Sequence, residues 1–279
     1  MSARRLPGLL TRVFALLFLA LVVVGLFVEY PFPSWWVFLP LVLAWTAGIA
    51  GGRAASRDIK GASRDAVEVL APVTGRWSAL NSPADRVPSH GVHAYGQTYA
   101  IDIVAEGAEG PSAGRPGFAW LWPVARGPRA FPAFGAPLLA VADATVVTAD
   151  DTQRDHLSRN SLLGLAWLLL AEGEVRGLAG AHRVLGNRVV LDLGDGTYAA
   201  YAHVRRGSLQ VRAGDTVRAG QQIARCGNSG NSTEPHVHFQ LMDHPDLDRA
   251  RGVPFTWRGI GVPANGEVFV AGRAVSDDW

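Results

Sequence analysis

Apolar positions are spread unevenly along the chain. Residues 9–28, LLTRVFALLFLALVVVGLFV, are almost wholly apolar, and about 20 such residues match one bilayer crossing. A polar break, EYPFPS, is followed by a second apolar run at residues 35–50, WWVFLPLVLAWTAGIA, with Tyr30, Trp35 and Trp36 placed to lie at an interface. No small-residue cleavage site cleanly separates the runs, which argues against a signal peptide. The pattern predicts a transmembrane helical hairpin in residues 1–52, with helices at about 9–28 and 35–51. Residues 53–66 are small, charged and unpatterned, and read as a linker. From Val67 to Trp279 the pattern changes to short β-rich runs broken by Gly, Pro, Asn and Asp. VEVLAPVTGRW, TYAIDIVA, PLLAVADATVVTAD, NRVVLDLGDGTYAAYAHV, QQIARCG and HVHFQLMD all fit strands. Asp195-Gly196 marks a hairpin turn, and VRAGDTVRAGQQI reads as a hairpin with two glycine turns. Residues 107–133 read as a surface loop, and Asp155–Gly173 as an inserted helix. The expected domain is therefore mostly β and antiparallel.

Composition narrows the chemistry. The net charge of +2 gives no electrostatic support for nucleic-acid binding. Cys226 is the single cysteine, read as a small buried residue, so neither an intrachain disulfide nor a cysteine zinc cage can form. Any metal site must combine histidine with carboxylate. Arg4 and Arg5 precede the first apolar run, and Arg53, Arg57, Lys60 and Arg64 follow the second. The positive-inside rule would place both ends in the cytoplasm.

The chemistry concentrates in Gly227–Asp243, GNSGNSTEPHVHFQLMD. In a strand, residues two apart share a face, so His236 and His238 would point into one space while Val237 and Phe239 pack behind them. Two other places add groups: PSHGVHAYGQTYAID carries His90, His93 and Asp102, and YAAYAHV carries His203. One carboxylate and several imidazoles suit a three-ligand zinc site with a position left open for water.

YAHV at 201–204, VRAGDTVRAGQQIARCGNSG at 211–230 and STEPHVHFQL at 232–241 together resemble the lysostaphin-type (LytM-like) zinc metallopeptidases. The likeness holds in order and spacing through Asn187–Asp243 and more loosely from Val67. It implies a LytM-like domain with the duplicated hybrid motif, bound Zn2+ and cleavage of peptide bonds in peptidoglycan cross-links or stem peptides. It also implies Asp102 and His238 as metal ligands, with His203 and His236 as the non-ligand pair that polarises water and steadies the tetrahedral intermediate. The chain departs from the family pattern H-x-x-x-D, since Thr98 stands four residues before Asp102. The missing ligand is His90 or His93. If Ala94–Gln97 formed a turn, His93 would lie opposite Thr98 on the side of Asp102, and a slip of one residue would bring in His90. Divergent family members with a long His-to-Asp gap favour His90. The competing reading is a catalytically degenerate, regulatory or binding module of the cell envelope. A biotinyl or lipoyl carrier is excluded, because Lys60 is the only lysine and lies beside the membrane segment. Asn187 and Asp215 resemble structural positions of the family, Asp192 and Asp195 suit a strand edge and a turn, and His156, His182 and His244 read as surface or capping residues. A cell-wall substrate implies an integral membrane protein with its domain outside the cytoplasm, against the arginine count; large domains translocate regardless of flanking charge.

Overall fold

A computed structural model describes residues 6–61, 64–107 and 114–272. Two compact units are present, Met1–Ser63 and Arg64–Trp279.

The first unit is a helical pair. Helix α1 spans Leu6–Gly25; a 3-10 turn, Ser34–Phe38, leads into α2, Leu39–Gly61. Both apolar runs are long and apolar enough to cross a membrane, Leu6–Gly25 with mean hydropathy 2.4 and Ser34–Ala54 with 1.5. The helices pack closely where side chains are small: a Cβ on Gly51 would stand 2.7 Å from Cβ of Pro7. Phe18 and Phe38 also meet, with ring centroids 5.7 Å apart. The boundaries differ from expectation. α2 runs on through residues 53–61, the stretch read as linker, because Ala, Arg and Lys there are good helix formers with no breaker until Gly61.

The second unit is sheet-rich. In chain order its elements are β1 Val67–Val69, β2 Gly75–Leu80, β3 Ile101–Ala105, β4 Pro137–Leu139, β5 Ala144–Asp150, α3 Leu162–Trp167, α4 Gly173–Ala179, α5 Ala181–Leu185, β6 Arg188–Asp192, β7 Tyr198–Ala202, β8 Thr216–Val217, β9 Gln222–Arg225, β10 Val237–Met242, β11 Gly252–Val253, β12 Phe255–Trp257 and β13 Val268–Ala271. The large sheet runs β13-β2-β3-β10-β7-β6-β5-β8, with β11 also on β10, and all its pairings are antiparallel. Two small sheets, β1-β12 and β4-β9, complete the β structure.

Strand alternation sorts the side chains. On β10, Val237, Phe239 and Leu241 enter the main core, with Ile101 and Ile103 of β3 and Tyr201 of β7. Each such side chain contributes on the order of 1.5–3 kcal/mol through burial. The opposite face of the same three strands carries His238, Gln240, Asp102 and Ala202. The main core thus backs the site face.

Two expected local structures are corrected. The 211–223 segment has its two glycine turns, Gly214 and Gly220 at φ 94° and 77°, but its arms do not pair with each other. β8 joins β5 and β9 joins β4, so the second turn carries the chain from one sheet to another. The inserted helix begins seven residues later than expected and runs further, as α3, a π-helical turn at Leu168–Glu172, and α4. Ser161 sets the start, its Oγ accepting from Gly164 N at 2.9 Å. Residues 155–160 cannot join the helix because they are tied elsewhere: Asp155 takes the backbone N–H of Asn228 and of Arg206. The surface loop expected at 107–133 lies partly outside the described residues. Its described part is irregular, with one 3-10 turn at Pro128–Ala130.

Candidate metal centre

The register of three strands assembles the site. His238 on β10 stands opposite Asp102 on β3 and opposite Ala202 on β7. His203 follows Ala202 directly. Asp102 is the hub. Its Oδ1 lies 2.9 Å from His238 Nδ1 and 3.4 Å from His236 Nε2; its Oδ2 lies 3.0 Å from His90 Nε2 and accepts from Asn81 Nδ2 at 2.9 Å. The rings crowd together, with centroids 4.9 Å apart for His90 and His238 and 4.7 Å for His203 and His236.

Each imidazole is oriented by a partner on its far side. His238 Nε2–H donates to Gln240 Oε1 at 3.0 Å, and Gln240 Nε2 in turn donates to Tyr95 O at 2.7 Å. His236 Nδ1–H donates to Glu234 O at 2.8 Å, and His203 Nδ1–H to Ser229 O at 2.8 Å. His203 also holds a left-handed backbone, φ 58°, rare for a residue with a side chain. Backbone bonds on both sides fix it: His203 N to Leu185 O and Gly227 N to His203 O, each 3.0 Å.

The site is nearly dry, and its charges are arranged accordingly. Burial alone would raise the Asp102 pKa, but His90, His236 and the hydrogen bonds from His236 and His238 hold it well below the usual carboxylate range. Burial, with His236 and His238 alongside, pushes His203 well down. Burial would also lower His236, yet Asp102 and Glu234 outweigh it and push that ring up.

His90, Asp102 and His238 each offer a donor atom, and the three atoms lie within 4.8 Å of one another. The set suits a divalent cation. It has two imidazole nitrogens and one ionised oxygen; His238 Nε2 is committed to Gln240, so Nδ1, which faces Asp102, is the nitrogen a cation would take in place of that contact. The structure brings His90 to Asp102, and His93 does not join this cluster. His93 Nδ1 instead faces Thr98 Oγ1 at 3.2 Å. The turn expected at Ala94–Gln97 is a 3-10 segment, Ala94–Tyr99, interrupted by left-handed Tyr95 and Gly96. Gly96 is required there, since a Cβ would come within 2.8 Å of Gln240 Nε2.

Residues 170–249 match the model of Peptidase family M23. The chain carries a peptidase family M23 domain. The match includes His203, His236 and His238 but stops short of His90 and Asp102, which the fold alone brings to them. A 102-residue stretch is 29% identical to "Cell division protein DipM" of Caulobacter vibrioides, covering 36% of this chain and 16% of that one. A 58-residue stretch is 43% identical to "Glycyl-glycine endopeptidase ALE-1" of Staphylococcus capitis, covering 20% and 16%. A 61-residue stretch is 36% identical to "Peptidoglycan DD-endopeptidase ShyA" of Vibrio cholerae, covering 22% and 14%. The matched part of each relative is therefore a small fraction of its length.

Around the His90–Asp102–His238 cluster, other sequence readings find their places. Asn187 is fully buried and clamps the loops behind His203, donating to Gln153 O and Val204 O and accepting from Gln153 N. Asp215, Asp192 and Asp195 each accept a backbone N–H within a turn. His244 does the same for Asp246 N. His182 is exposed beside Asp150, and Cys226 is buried. His156 departs from its surface reading: its two ring nitrogens face Leu157 O and Gly230 O at 2.8 and 2.9 Å, so it pins the 228–231 loop. In that loop, Gly230 meets Gly186 so closely that a Cβ on either would come within 2.7 Å of the other's backbone. The supports Asn81, Ser229, Glu234 and Gln240 were not singled out from sequence. Gln240 had a signal, two residues beyond His238 on the same strand face.

Proposed function

We propose that the chain is a zinc metalloendopeptidase that cleaves peptide bonds in peptidoglycan cross-links or stem peptides. In this reading α1 and α2 anchor it in the cell membrane with the domain outside the cytoplasm. The observation that carries the reading is the pairing of a His90–Asp102–His238 donor set with two further imidazoles, His203 and His236, each held through Nδ1 by a backbone carbonyl. The name of ShyA supports peptidoglycan as the substrate, and that of ALE-1, a glycyl-glycine endopeptidase, supports cleavage within a peptide.

In this reading His90 Nε2, Asp102 and His238 Nδ1 hold zinc. Bound there, zinc would supply Lewis acidity toward a substrate carbonyl and a water molecule. The remaining work falls to side chains. Asp102 balances the cation's charge. Gln240 keeps the His238 proton on Nε2, directing Nδ1 inward. His203 is kept neutral by burial, with its proton committed to Ser229 O, so its Nε2 is an acceptor for a proton from the attacking water. His236, pushed toward its charged form beside Asp102, is the better donor to a developing oxyanion or leaving amine.

The test is incubation of the full chain, in detergent, with purified peptidoglycan, with zinc or with a chelator, following released peptides by mass spectrometry. Zinc-dependent release is expected, and the products name the bond. Neither release nor stoichiometric zinc would replace this reading with a non-catalytic envelope module. Retained stoichiometric zinc in His238→Ala would overturn the ligand assignment.

A further inference from the structure

The segments 118–124 and 162–178 expose an apolar surface that the chemistry of the centre does not use. Trp122 is 83% exposed, Leu170 80% and Trp120 74%. The two segments are joined: Leu162 N donates to Ala119 O at 3.0 Å, and Ser161 Oγ donates to Val124 O at 2.6 Å. Along α3, the π-helical turn and α4, Leu163, Trp167, Leu170 and Leu178 recur at helical spacing and are all exposed. An amphipathic helix ordinarily turns such a stripe inward. A contiguous outward patch of this kind marks a contact with something apolar.

We propose that this surface docks on the lipid bilayer, seating its tryptophans at the boundary between headgroups and acyl chains. Two observations select a bilayer. The first is composition: Trp120, Trp122 and Trp167 are all exposed, and indole rings favour this boundary. The second is chain length. The second membrane-length segment ends at Ala54 and β1 begins at Val67. The intervening residues comprise the end of α2 and five more, a reach of about 30 Å at 1.5 Å per helical and at most about 3.6 Å per extended residue. The docking rests on the anchoring of α1 and α2 proposed above: a domain tethered so closely to a bilayer-embedded pair meets the bilayer at high effective concentration, so a weak apolar contact suffices. Glu174 interrupts the stripe and is exposed; a carboxylate gains nothing from anionic lipid, so the docking relies on the flanking apolar side chains and is tested on zwitterionic lipid.

The experiment uses the full chain reconstituted in phosphatidylcholine liposomes. A polarity-sensitive thiol label is placed at Trp122→Cys, at Leu17→Cys in α1, or at Ala213→Cys on an exposed turn. Cys226 is buried with its thiol pushed up, and does not compete for the label. Blue-shifted emission at 122 that a lipid-borne spin label quenches, as at 17 but not at 213, is the expected result. A water-like, unquenched label at 122 with 17 quenched overturns the proposal. So does an unquenched label at 17, because the tether is then not in the bilayer. Shielding at 122 without lipid quenching, accompanied by excimers between labelled chains, overturns it in favour of a second copy.

Discussion

Asp102 and His238 come from paired strands, and His90 comes from an irregular loop. The strand residues are positioned by register: β3 and β10 pair so that Asp102 faces His238, and a slip of one residue would turn both away from each other. His90 has no such guarantee. It reaches Asp102 only because the chain between them folds into a 3-10 segment with left-handed Tyr95 and Gly96. The difference teaches that one candidate metal centre can take two donors from strand register and a third from loop conformation, with Gln240 bonded to both His238 and the Tyr95 carbonyl.

Substitutions can sharpen that contrast. The largest effect should come from the strand side: His238→Ala should abolish stoichiometric metal binding, measured by elemental analysis of the purified chain. On the loop side, His90→Ala should lose metal while His93→Ala keeps it, and equal loss in both would refute the assignment of the first ligand to His90. His203→Gln should retain metal yet lower peptide release by about 10²–10⁴-fold, the usual contribution of a general acid or base. Gln240→Leu should weaken metal affinity by about 10–100-fold, the range for a lost partner behind a ligand; competition against a chelator measures it. The smallest effect concerns pH. His203 is pushed below its ordinary value of 6.5, so below that pH the unfolded chain binds a proton that the folded chain refuses. Its contribution is therefore intact above pH 6.5 and is lost as pH falls beneath it. Metal-stripped His203→Gln should lose less thermal stability than the parent chain between pH 7 and 5.

What the sequence made legible follows the same division. His236 and His238 announce a shared site because alternation is a strand's own rule, and Asp102 was found through motif order. The choice between His90 and His93 was not legible, because it depends on backbone conformations at Tyr95 and Gly96 that no periodicity encodes. The glycine turns at 214 and 220 were plain, but not that their arms enter different sheets, since pairing partners are set by distant strands. The start of α3 was misjudged because Asp155 serves Asn228 and Arg206 rather than capping a helix. Asn81 and Ser229 act through hydrogen bonds across the fold and leave no local pattern.

β5 and β6 are antiparallel neighbours, yet residues 151–187 travel out and back between them. Closing a long excursion costs only slightly more entropy than closing a short one, so the sheet tolerates changes in the outer helical part, residues 162–179. The flanking stretches are another matter: Asp155, His156, Leu185 and Asn187 hold His203 and the loops behind it. The outer part is thus an exchangeable cassette between fixed clasps. Descendants of this chain are free to remodel its outer surface for a new environment while the imidazoles beneath stay where the sheet put them.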